Sequence, residues 1–209
     1  MSKDIYLVED VKTINRESYP HIISIGNKCV STIMLRQLKM YKESYPFDYI
    51  PTQPHLITKY FKDNFQSFLP DEKKIKNADN VWFGHFPFAQ QYAQTVDIFQ
   101  RRIKRLYSVL QSTEKILFVY TTEADVYNEM NSRYNNNYND LIILRDYIKT
   151  NYNASFDILA IHTNKTFNDT DNIINFTINV DDKHLSENKE THIYTYRKVV
   201  REAFKKIII

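Results

Sequence analysis

Two apolar runs in the second half of the chain leave little choice of architecture. Residues 115–120 read Lys-Ile-Leu-Phe-Val-Tyr, and residues 157–161 read Asp-Ile-Leu-Ala-Ile. A strand with one wet face alternates apolar and polar side chains. These runs do not alternate, so both faces of each strand must be covered, as in a parallel sheet with helices packed on either side. Other segments fit that plan. Residues 21–26 form a short apolar run that follows Pro20 and ends at Gly26, and residues 173–180 form another with partial alternation. Residues 81–84, Val-Trp-Phe-Gly, carry a brief strand signal. Between them lie stretches with helical spacing at 28–40, 55–65 (with Pro54 just before it), 94–110, 140–151 and 190–209. Strands alternate with helices and no repeat or linker interrupts them. The expected fold is α/β: one domain over residues 1–209, three-layer, with a mainly parallel central sheet flanked by helices.

Composition narrows the chemistry. The 209 residues include 2 glycines and 1 cysteine. One cysteine excludes an intrachain disulfide and any thiolate-rich metal site. Two glycines, Gly26 and Gly84, cannot write a dinucleotide-binding fingerprint or a P-loop. The net charge of +3 is too mild for a dedicated nucleic-acid binder, so no nucleic-acid partner is expected. Basic clusters at Arg101, Arg102, Lys104 and Arg105, and over residues 197–206, read as solvated helix faces. No run approaches the roughly 18 apolar residues of a membrane span, and the first ten residues lack a signal-peptide core. A soluble, cytoplasmic protein with no membrane partner is therefore expected. No histidine, cysteine and carboxylate set has metal-ligand spacing, so neither metal nor cofactor is expected.

In open parallel sheets the reactive groups collect beyond the carboxyl ends of the strands. Ser24, Gly26, Asn27, Lys28 and Cys29 end the first strand, His85 follows residues 81–84, Thr121, Thr122 and Glu123 follow the third run, and His162 and Thr163 follow the fourth. Cys29 stands where a strand turns into a helix. There the free N–H groups and Lys28 would favour a thiolate, and the backbone N–H groups of residues 27–30 could hold an oxyanion. Gly26 would let the chain turn sharply out of the strand. The competing reading of Cys29 is a small buried apolar residue. His85 is the candidate base, with His162 as a rival, and His21 is expected at the opposite end of the sheet. Asp48, Glu123 and Asp125 compete as a third, orienting group.

These residues also form a recognisable pattern. Ile23-Ser-Ile-Gly-Asn-Lys-Cys29, a helix, and then Glu43-Ser-Tyr-Pro-Phe-Asp-Tyr49 resemble the signature of a family described as papain-like cysteine peptidases, found in bacteria and large DNA viruses. His85, the basic segment 100–105 and the strand at 115–120 continue the resemblance, which covers about residues 21–163. It implies Cys29 as nucleophile, His85 as base and Asp48 in support. It also implies an alternative fold, papain-like α+β, against which the strand–helix alternation speaks. Lys28 stands where the family has Asn beside the Cys, Phe86 where it often has Asp after the His, and Tyr49 where it has Trp.

The leading expectation is a cysteine-dependent hydrolase or acyltransferase acting on a peptide, ester or glycan. Ser24, Gly26, Asn27, Lys28, Thr121, Glu123 and His162 are its candidate substrate-binding residues. The alternatives are a sugar- or nucleotide-binding transferase or module walled by Tyr45, Phe47, Trp82 and Phe86, and a non-catalytic viral interaction protein.

Overall fold

The computed structural model describes residues 5–7, 12–26, 29–72, 74–122, 138–180 and 189–209, with side chains given for all of these except 5–7, 180 and 189–196. Five strands form one sheet: β1 (Ile5–Leu7), β2 (His21–Ser24), β3 (Ile116–Thr121), β4 (Phe156–Thr163) and β5 (Ile173–Val180). Their order across the sheet is β1-β5-β4-β3-β2. The pairs β2–β3, β3–β4 and β4–β5 are parallel, with His21 opposite Ile116, Ile116 opposite Phe156 and Ile158 opposite Ile173. The short β1 adds an antiparallel edge, with Ile5 opposite Val180. The helices are α1 (Val30–Gln37), α2 (Pro54–Lys62), α3 (Tyr92–Gln111), α4 (Tyr138–Asn151) and α5 (Lys189–Ile207).

Alternate residues of each strand enter different cores, because side chains of a strand point to opposite faces. Ile116, Phe118 and Tyr120 join Ile57, Phe61, Phe99, Leu106, Leu141 and Leu144, so α2, α3 and α4 cover one face. Leu117 and Val119 join Met34, Leu35, Val200, Phe204 and Ile207, so α1 and α5 cover the other. All six residues of β3 are buried, as its unbroken apolar sequence requires. This is the expected three-layer α/β arrangement with a mainly parallel sheet.

Two features differ from expectation. Residues 81–84 are not a strand: they make one isolated bridge, between Lys76 and Trp82. Val81 and Phe83 are buried against helices in the α2–α4 core, so their apolar character is satisfied by packing rather than by a ladder. The basic cluster on α3 is not wholly solvated either. Arg105 donates to the Ser44 carbonyl at 2.5 Å, and the Arg102 guanidinium lies 5.1 and 5.2 Å from the Phe86 and Phe99 ring centres. At the C-terminus Ile208 bridges to Ile14 and both are buried, while Ile209 stays exposed. Among the described residues no helix is long and apolar enough to cross a membrane.

Candidate functional site

The chain leaves the sheet after β2, with the Ile25 N–H still bonded to the Val119 carbonyl at 2.9 Å. Asn27 and Lys28 lie outside the described residues. Cys29 then caps α1, and the Ile33 N–H accepts its place in the helix by donating to the Cys29 carbonyl at 2.9 Å. The amides of the first turn are therefore directed to the end of the sheet where Cys29 stands, with the partial positive charge of a helix N-terminus. Neither glycine has the left-handed backbone that a sharp turn would need. Their role is to make space. A Cβ on Gly26 would lie 2.4 Å from Ser31 Oγ, and a Cβ on Gly84 would lie 1.8 Å from the Trp82 ring.

His85 reaches the same place by another route. Residues 75–91 loop out between α2 and α3, anchored by the Phe83 N–H on the Ile75 carbonyl at 2.7 Å and by buried Phe83. A turn closed by the Phe86 N–H on the Phe83 carbonyl presents His85. Its Nε2 lies 3.4 Å from Cys29 Sγ, which is also 3.8 Å from the Tyr49 carbonyl oxygen. Two rings brace the imidazole edge-on: Trp82 at 5.2 Å and Tyr49 at 5.8 Å between ring centres. His85 is exposed and Cys29 half-buried, so the pair is open to a ligand.

Asp48 serves the site from below. It is 1% exposed and accepts the Tyr45 N–H at 2.8 Å, the Tyr41 hydroxyl at 2.7 Å and, more weakly, the Thr32 hydroxyl at 3.4 Å. Thr32 in turn accepts the Tyr49 N–H at 3.3 Å and meets Ser24 at 3.0 Å, and Ser24 meets Ser31 at 2.6 Å. This network ties the first turn of α1 to the loop that carries Tyr49. Burial pushes the Asp48 carboxyl above its ordinary range, opposed by the Tyr45 and Tyr41 hydrogen bonds and by the nearby Arg102 charge. Among the described residues no hydrogen bond joins Asp48 to His85.

The other predicted residues divide clearly. Ser24 and Thr121 are 1% exposed, and His162 is 3% exposed. Ser24 belongs to the network above. Among the described residues the Thr121 hydroxyl has no hydrogen-bond partner, and it lies 3.1 Å from where a Gly26 Cβ would be. Thr122 and Thr163 bond each other across the ends of β3 and β4. His162 is held on Asn175 Oδ1 at 2.9 Å among Tyr120, Tyr138 and Phe167, and burial keeps its pKa below the ordinary value. His21 bonds Tyr45 and Glu114, at the start of β2, away from the carboxyl ends of the strands. Tyr45 and Phe47 are buried core residues, while Trp82 stays 40% exposed. Glu123 and Asp125 lie outside the described residues. Sequence reasoning passed over Thr32 and Tyr41, which hold Asp48, and the ring contact of Tyr49 with His85. The signal for all three is position: Thr32 is one helical turn from Cys29, and Tyr41 and Tyr49 flank the Pro-Phe-Asp turn.

A family model described as "Putative papain-like cysteine peptidase" matches residues 20–80, the segment from β2 through α1 and α2 that contains Cys29 and Asp48. His85 falls outside the matched span. No curated protein and no solved structure matched the chain.

Proposed function

We propose that the protein is a cysteine-dependent hydrolase or acyltransferase in which Cys29 is the nucleophile and His85 the general base. The observation that carries the reading is the 3.4 Å separation of Cys29 Sγ and His85 Nε2, on segments 56 residues apart in sequence. A lone structural cysteine has no need of an imidazole at hydrogen-bond range, and a nucleophilic one does. The family match over the Cys29 segment supports the same chemistry.

In the first half-reaction Cys29 Sγ bonds to the substrate carbonyl carbon and its proton passes to His85 Nε2. The first-turn amides of α1 stabilise the negative oxygen of the tetrahedral intermediate. Collapse breaks the bond to the leaving group, which takes the proton from His85 and leaves a thioester on Cys29. Water, or an acceptor amine or alcohol, then adds to the thioester and gives its proton to His85, and collapse breaks the carbon–sulfur bond as Cys29 Sγ takes that proton back from His85. Trp82 and Tyr49 hold the imidazole ring, and Asp48 acts as a positioning residue through Thr32, Tyr41 and Tyr45.

The test is a burst assay with 4-nitrophenyl acetate. The expected result is one equivalent of nitrophenolate released rapidly, with an acetyl adduct on Cys29 in the intact mass. The burst is expected to vanish in Cys29→Ala and to slow by about 100-fold or more in His85→Ala. An absent burst together with an unmodified Cys29 would overturn the reading.

A further inference from the structure

Helix α1 presents Cys29, Ile33 and Gln37 along one half-open face, four residues apart, as i and i+4 side chains must lie. Against Ile33 and Gln37, helix α5 sets Arg197, Lys198 and Arg201, and the five residues line a cleft of about 300 Å³. Among the described residues no carboxylate lines it. Among the described residues the Nε atoms of Arg197 and Arg201 are enclosed without a hydrogen-bond acceptor, though Glu202 Oε1 stands 3.4 Å from Arg201 Nε. Among the described residues the one carboxylate against these cations is Glu202, 3.4 Å from Arg201, and Lys205 shares it at 3.1 Å.

A larger cleft, of about 460 Å³, lies along α3. There two carboxylates, Glu43 and Glu114, share the lining with the cations: Arg105 is engaged by Glu43 and the Ser44 carbonyl, and His21 by Glu114. In the α1–α5 cleft two guanidinium groups one turn apart line a space whose described walls hold no carboxylate. Guanidinium pairs are suited to carboxylate and phosphate oxygens, which they can engage by parallel N–H donors.

We propose that the α1–α5 cleft is a subsite for an oxyanion carried by the substrate, a carboxylate or a phosphate group, on the side of the scissile bond that runs down α1. The inference rests on the reading of Cys29 as nucleophile. Ile33 and Gln37 lie about 6 and 12 Å along α1 from Cys29 at 1.5 Å rise per residue. An extended peptide covers that distance in about two to four residues. The substrate class is therefore an acidic or phosphorylated chain with its charge a few residues from the bond that is cut.

The experiment uses three bromoacetyl peptides that alkylate Cys29, forming the carbon–sulfur bond and releasing bromide. They carry two Asp, two phosphoserine or two Asn residues at the third and fourth positions from the warhead. With the wild-type protein the Asp or phosphoserine peptide should label Cys29 about tenfold faster than the Asn peptide at low ionic strength, and added salt should erode the difference. Acceleration by one of the two anions alone identifies the group the cleft takes. In Arg197→Gln/Arg201→Gln the ratio should fall to about one while plain iodoacetamide labels at the wild-type rate. Arg197→Gln alone, expected to lower the ratio partway, replaces the double variant if that fails to fold. Equal rates for all three peptides on the wild type, or a preference that survives these substitutions, would overturn the subsite. An ordinary iodoacetamide profile for Cys29 would instead remove the nucleophile reading, and the ratio between peptides would still report on the cleft.

Discussion

Asp48 shows how one residue can matter to a site without touching its reacting atoms. Its carboxyl is buried, and three donors aim at it. Burial raises its folded pKa above the unfolded value near 3.9. A carboxyl raised in this way adds most stability when protonated, below the unfolded value. That contribution is lost as pH rises through the folded value. Asp48→Asn keeps an acceptor for Tyr41 and Tyr45 and removes the titration. The wild type should therefore lose stability relative to Asp48→Asn as pH rises from about 4 towards neutrality, read by urea denaturation at several pH values. A stability difference independent of pH would contradict the account. Gly84 gives a second test at this scale. Its missing Cβ leaves room for the indole of the one tryptophan, which braces His85. Gly84→Ala should change the intrinsic tryptophan emission and slow the 4-nitrophenyl acetate burst. Unchanged emission would mean that the indole does not depend on that space.

At the scale of elements, aromatic packing brings the two halves of the pair together. Phe68 is fully buried, with ring centres 5.7 Å from Phe47, 5.3 Å from Phe83 and 5.8 Å from Phe99. Tyr49 is two residues beyond Phe47 and His85 two beyond Phe83, so one side chain registers both segments against α3. Phe68→Ala should cost about 3–5 kcal/mol by thermal or urea unfolding. It should also lower Cys29 reactivity more than an equally destabilising cavity such as Ile148→Ala, in the last turn of α4 that leads to the start of β4. Equal effects on reactivity would show that Phe68 supports the fold alone. This is also where the sequence was hardest to read. The strands at 115–120 and 157–161 were plain because burial on both faces removes alternation. Residues 81–84 gave the same local signal, yet Val81 and Phe83 pack on helices. A short apolar run carries no record of what will cover it. His85 still arrives beside Cys29, carried by a looped segment rather than by a strand end.

The whole molecule places the pair across the end of its sheet. Cys29 heads α1 in one helical layer, and His85 comes from the segment packed with α2 and α3 in the other. The parallel order of β2 through β5 puts the carboxyl ends of four strands at that edge, and this much followed from the pattern of runs. The burial of Ser24, Thr121 and His162 did not follow, because a residue at a strand end can face either the opening or the core. If the layers meet to activate a thiol, Cys29 should react as a thiolate near neutral pH. The direct measurement is the rate of Cys29 alkylation by iodoacetamide from pH 4 to pH 10, in the wild type and in His85→Ala. The predicted result is a wild-type inflection well below the roughly 8.5 of a free cysteine, moved upward when His85 is removed. An inflection at or above about 8.5 that is the same in both proteins would contradict the Cys29–His85 site.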